Sequence, residues 1–198
     1  MEVDGSDEEE RMDDIDAPAL VRWTLRLENA TGLDRPVRAL QPAVAAAFGT
    51  GARGAALRGE WLGHALHPML TDLVIGTWTS ASVLDVLGGP GAPAAAQRLV
   101  GAGLLAFGPT AWAGWAEWSV AGPRDQRVGL VHAVTNGVAA GAYTASWLAR
   151  RRGAHGRGAA LALAGATVSG LGAYLGGHLT EGRKVGSRHA AYAGGETA

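Results

Sequence analysis

Three stretches of this 198-residue chain contain no Asp, Glu, Lys or Arg: residues 99–116, 128–149 and 158–180, runs of 18, 22 and 23. About 20 helical residues cross the hydrocarbon core of a bilayer, so each run is long enough to span one. A fourth segment, Pro68 to Gly88, carries Asp72 and Asp85 near its ends, but Leu73 to Leu84 between them is uncharged. An acid near a helix end costs far less in a membrane than one at its centre. Pro90, Gly91 and Pro93, then Gly122 to Arg127, then Arg150 to Arg157 separate the four segments, as short turns do between antiparallel neighbours. None shows the polar stripe of a helix on a water-soluble globule. The expected fold is all-α, a four-helix transmembrane bundle.

The remaining sequence is of a different character. Residues 1–16 hold nine acids and one base, a net of −8 within a chain whose total is −1, which leaves the body at +7. So charged a segment buries too little apolar surface to offset the entropy of ordering, and residues 1–16 read as a disordered acidic tail. An acidic start is also unlike a cleaved secretory signal. Residues 17–66 read as an amphipathic helical lead-in. One helix is capped by Asp16 with Pro18 in its first turn; a second is capped by Asp34, kinked at Pro42 and stopped at Gly49; a third, from Arg53 to Gly63, has the alternation of a surface-lying helix. The membrane domain is placed at 67–182, followed by a short polar tail at 183–198. With no cysteine, the chain offers no disulfide, thiolate zinc site or iron–sulfur cluster of its own.

The spans are rich in alanine and glycine rather than leucine. Gly137 and Gly141, and again Gly172 and Gly176, stand four apart, the spacing of close helix crossings in membranes, compatible both with a tight bundle and with a homo-oligomer.

The polar residues fall unevenly. His64 and His67 precede span one, His132 stands near the start of span three and His178 near the end of span four. In an up-down-up-down bundle those positions share one membrane face. Span two ends there too, bringing Trp112, Trp115, Glu117 and Trp118, and Asp72 lies about one turn into span one. Intramembrane imidazoles and carboxylates are expensive and call for a partner, a wet cavity or a ligand. Taken singly, each has a plain structural explanation: a helix-to-helix hydrogen bond, a headgroup contact, a cap. The gathering is what suggests a site. His67, His132 and His178 with Asp72 or Glu117 match a non-haem transition-metal ion. Alternatively, two histidines from facing helices match the axial ligands of haem b, with Gly63, Gly129 and Gly177 making room. His64 and His67, three apart, cannot both serve one haem from opposite sides. Asn136, four after His132, is placed to orient that ring. Trp112 and Trp115 suit the interfacial aromatic belt, or a wall stacking on quinone or haem. The arginines follow membrane loops, not a groove-reading pattern, so nucleic acid is not an expected partner.

Trp61 to Asp85 contains Gly63-His64-Ala65-Leu66-His67-Pro68, Asp72, Ile75-Gly76 and Trp78-Thr79. Farther on come Arg98-Leu99-Val100-Gly101, Gly129-Leu130-Val131-His132 and Tyr174-Leu175-Gly176-Gly177-His178-Leu179. In this order, over Arg35 to Arg188, the chain resembles the bacterial membrane family catalogued as domain of unknown function 2231. The resemblance implies four spans, a bacterial cytoplasmic membrane and no established activity, with some members joined to a Rieske-type domain. Ala65 stands where proline is usual, which relaxes the turn between His64 and His67.

The expected function is a multi-pass membrane subunit in which histidines hold haem or a metal for electron transfer. Its partners would be lipid, quinone or a separate iron–sulfur protein. The competing expectation is an anchor or assembly subunit whose histidines only lock helices. Transport would need a polar path across the bundle, whereas the polar groups concentrate on one side. Four spans place both termini on the same face; loop arginines and lysines, seven on that face against five opposite, do not decide which face is inside.

Overall fold

The computed structural model describes residues 17–195, and among these the chain is helical without strands. An isolated bridge joins His64 to Arg188. The acidic tail and the capping role expected of Asp16 lie outside the described residues.

Helix α1 (Ala19–Glu28) follows Pro18, and a single helical turn, Thr31–Leu33, leads into α2 (Asp34–Val44). Asp34 was expected to cap α2. It is instead the first residue of that helix, and its carboxylate faces Arg127, where a guanidinium offers two donors and the backbone amides of α2 do not compete. The helix runs through Pro42 to Val44 and passes into a π-helical turn, Ala45–Gly49. Helix α3 is short (Gly51–Leu57). A turn at Glu60–Leu62 then lies between Gly59 and Gly63, both left-handed with φ of 73° and 75°. A side chain at Gly59 would also stand 2.2 Å from the carbonyl oxygen of His64, so the tight entry into the next helix needs glycine there.

Four long helices follow: α4 (Leu66–Leu87), α5 (Ala92–Val120), α6 (Pro123–Arg151) and α7 (His155–Gly177), the last extended by a π-helical turn to Gly182. Leu66–Leu87, Ala92–Val120 and His155–Gly182 are long and apolar enough to cross a membrane. Helix α6 has 29 residues, with Arg124, Asp125 and Arg127 at one end and Arg150 and Arg151 at the other. Each long helix packs along its sequence neighbours, and α4 closes against α7, so α4 and α6 are diagonal partners.

The two hairpins are structural repeats of each other. The buried stripe of α4, Val74, Trp78 and Ala81, with Asp85 below it, is matched 65 residues later by Ala139, Tyr143, Ser146 and Arg150 on α6. On α5 the buried Ala96, Val100, Gly103, Thr110 and Ala113 are matched 62 residues later on α7 by Gly158, Ala162, Gly165, Gly172 and Leu175. Equivalent residues of α4 and α6 meet across the centre at three levels: His67 with His132, Trp78 with Tyr143, and Asp85 with Arg150. The bundle therefore has an approximate two-fold axis along its length. The middle level is an aromatic stack with ring centres 3.8 Å apart, worth about 0.5–1.5 kcal/mol beyond the area it buries. The same glycines make room in both halves, Gly103 against Trp78 and Gly165 against Tyr143.

This arrangement corrects one expectation about small residues. Gly172 and Gly176 do sit at a close crossing, where a side chain would meet Asn136 at 2.5 Å and His132 at 3.0 Å. Gly137 and Gly141 face open space, because the α6 face that packs inward is the one carrying Ala139 and Tyr143.

Candidate functional site

At one end of the bundle the first turn of α4 and the early part of α6 bring two imidazoles together. The His67 and His132 ring centres are 6.1 Å apart, with the ring planes at 80°. Nδ1 of His67 lies 2.8 Å from the carbonyl oxygen of Thr110 on α5, and Nδ1 of His132 lies 2.9 Å from that of Gly172 on α7. A carbonyl oxygen only accepts, so in both rings Nδ1 carries the proton and donates it, and each neutral ring keeps a lone pair on Nε2. Thr110 and Gly172 are equivalent positions of the two hairpins, as are Gly114 and Gly176, whose missing side chains the His67 and His132 rings fill (closest approaches of 2.9 and 3.0 Å). Asn136 lies beside His132, its Nδ2 donating 3.0 Å to the His132 carbonyl and standing 3.2 Å from Nε2. Both histidines are half-buried.

The other expected members of the layer go elsewhere. His178 donates from Nε2 to Glu28 of α1 at 2.8 Å, and Arg183 bridges the same carboxylate to Asp125. Because α7 ends in a π-helical turn at this point, its last histidine is turned toward the docked lead-in. Glu28 is 3% exposed. As a lone acid at the end of an amphipathic helix it carries no sequence signal that it will be buried. Glu117 accepts from the Ser187 amide at 3.1 Å and from its hydroxyl at 3.0 Å, tying down the C-terminal segment. Asp72 is exposed. His64 is exposed and packs on Tyr192 with ring centres 4.9 Å apart. Trp115 packs edge-to-face on Trp118 in a cluster with Val37, Val44, Phe48 and Leu130, while Trp112 is exposed. Neither tryptophan makes a ring-to-ring contact with the histidine pair. Of the glycines expected to make room for a porphyrin, Gly129 packs on Trp118 and Gly63 lies near His189 and Tyr192. Among the described residues no group of three or more His, Asp or Glu side chains is gathered as for a metal ion.

The opposite end holds a feature the sequence reading did not assign. Arg150, 2% exposed, pairs through both terminal nitrogens with the carboxylate of Asp85, one contact at 2.8 Å, while Ser146 donates to the Gly158 carbonyl at 2.6 Å. This joins α4, α6 and α7. One arginine in a run of three reads as a loop charge, and only the helix register shows which of them turns inward.

Three helices long and apolar enough to cross a membrane, packed with a fourth around paired polar groups, define a class, the helical membrane proteins. The family model described as "Predicted membrane protein (DUF2231)" matches residues 63–189, and the chain belongs to that family. No curated protein and no solved structure matches it.

Proposed function

We propose that the protein is a four-span subunit of the bacterial cytoplasmic membrane, α6 crossing with the other three helices. In this reading it holds a redox-active metal centre on His67 and His132 and exchanges electrons with quinone or a separate iron–sulfur protein. One observation carries it: both rings are oriented from behind by a carbonyl on the following helix, leaving an Nε2 lone pair on each of two rings whose centres are 6.1 Å apart. An imidazole held by its second nitrogen in a fixed tautomer is how proteins present this ligand to metals. The donor chemistry suits iron, copper, zinc or nickel. Gly114 and Gly176 are already filled by the two rings, which favours an ion over a macrocycle. Bound there, such a centre would supply one-electron chemistry, while the chain supplies ligands, orientation and a low-dielectric surround.

The structural reading rests on a different observation. His178 locks α7 to α1 through Glu28, so this chain does use a histidine to hold helices. Protein purified from native membranes separates the two. The redox reading expects a stoichiometric transition metal or haem absorbance, lost in His67→Ala and in His132→Ala and kept in His155→Ala. Wild-type protein with neither metal nor haem overturns it.

A further inference from the structure

We propose that His67 and His132 form a two-coordinate site on the bundle's two-fold axis for a single monovalent cuprous ion. The proposal rests on the metal reading of the same pair and names the ion.

Symmetry is the first argument. The two rings occupy equivalent positions of the two hairpins and are oriented by equivalent carbonyls, Thr110 and Gly172. An ion on the axis meets one imidazole nitrogen from each hairpin. Geometry is the second. An ion bonded to one nitrogen of each ring at about 2.0–2.1 Å, straight across, places the ring centres about 6.4 Å apart, within a few tenths of an ångström of the 6.1 Å found. Rings at 80° to each other are permitted, because each can turn about its own metal–nitrogen bond.

Ligand count and charge select the ion. Zinc asks for four donors. Ferrous and nickel ions also favour more than two, and of the carboxylates expected to complete a shell Glu117 is engaged by Ser187. Asp72 is exposed. Two neutral imidazoles leave the whole ionic charge uncompensated, and the cost of holding charge in a low-dielectric interior rises with its square. A monovalent ion satisfied by two donors is therefore favoured over a divalent one, which makes the reduced ion the resting state of the centre. Cuprous copper is the imidazole-binding metal that meets both conditions.

Anaerobic titration of full-length, metal-free protein in detergent with Cu(I), against a chromophoric Cu(I) chelator, tests this. One equivalent is expected to bind, with X-ray absorption showing a two-nitrogen shell, and Zn(II) in excess is expected not to displace it. His67→Ala and His132→Ala are expected to lose at least about 100-fold in affinity, beyond what removing an outer partner costs. His64→Ala and His178→Ala should bind as wild type. His67→Met replaces an imidazole with a thioether that cuprous copper accepts, so this variant should keep binding Cu(I), which a helix-locking role for His67 gives no reason to expect. A shell of three or four ligands, displacement by Zn(II), or unchanged affinity in both alanine variants overturns the proposal. Absence of Cu(I) binding from protein that carries haem or iron in native membranes removes this inference and leaves the redox reading. Cu(I) binding without electron exchange with a quinol does the reverse.

Discussion

At the scale of single residues, the glycines divide by what stands opposite them. Gly103 is buried, and a methyl group there would lie 2.2 Å from Nε1 of Trp78 and 2.6 Å from Oγ1 of Thr77. Gly103→Ala is therefore expected to lower stability by about 1–3 kcal/mol, because the indole cannot move without breaking its stack on Tyr143. Gly137 has nothing within 4 Å of the same position, so Gly137→Ala should be neutral or stabilise by up to about 1 kcal/mol through helix propensity. Thermal unfolding in detergent measures both, and equal effects would contradict the packing described. His67 and His132 were legible as polar residues inside apolar helices. That they would face each other was not, since a single helix register does not say which side meets a diagonal neighbour.

At the scale of elements, two ion pairs act differently. Asp85 and Arg150 are buried together between α4 and α6. Removing one partner leaves an uncompensated charge, so Asp85→Asn or Arg150→Met is expected to cost about 3–5 kcal/mol, and the double variant less than the sum. A double-mutant cycle in detergent checks this. The pair joining Asp34 of α2 to Arg127 of α6, at 2.6 Å, holds the lead-in on the bundle. The hydrogen bond from Arg127 holds the Asp34 carboxyl below its ordinary value, with burial opposing and Arg38 assisting. A free aspartate titrates near about 4. The stabilisation is therefore complete above that pH and is lost as pH falls through the lower docked value. Hydrogen exchange across residues 19–44 should accelerate below about pH 4 relative to the bundle core. In Asp34→Asn exchange should be faster at neutral pH, and its acid-dependent increment should shrink.

At the scale of the whole molecule, the proposed four-span reading places the α5–α6 turn and the C-terminal segment on one side, and the α4–α5 and α6–α7 turns on the other. Single cysteines at Arg124 and Lys184 are expected to react alike with a membrane-impermeant reagent, and those at Gly89 and Arg152 to react oppositely to them. A mixed pattern would mean that α6 does not cross. The sequence alone determined the long helices and their order, because charge is excluded from hydrocarbon over a length that composition reveals directly. The helix ends were also legible, since proline, glycine and arginine mark them. The pairing across the axis was decided only in the folded molecule. The two hairpins match through shape, with tryptophan for tyrosine, threonine for glycine and aspartate for arginine, so residue identity hides a repeat that backbone packing preserves. The fate of His178 was decided there too, because Glu28 lies 150 residues away, and only docking of α1 on the bundle brings that carboxylate to the imidazole.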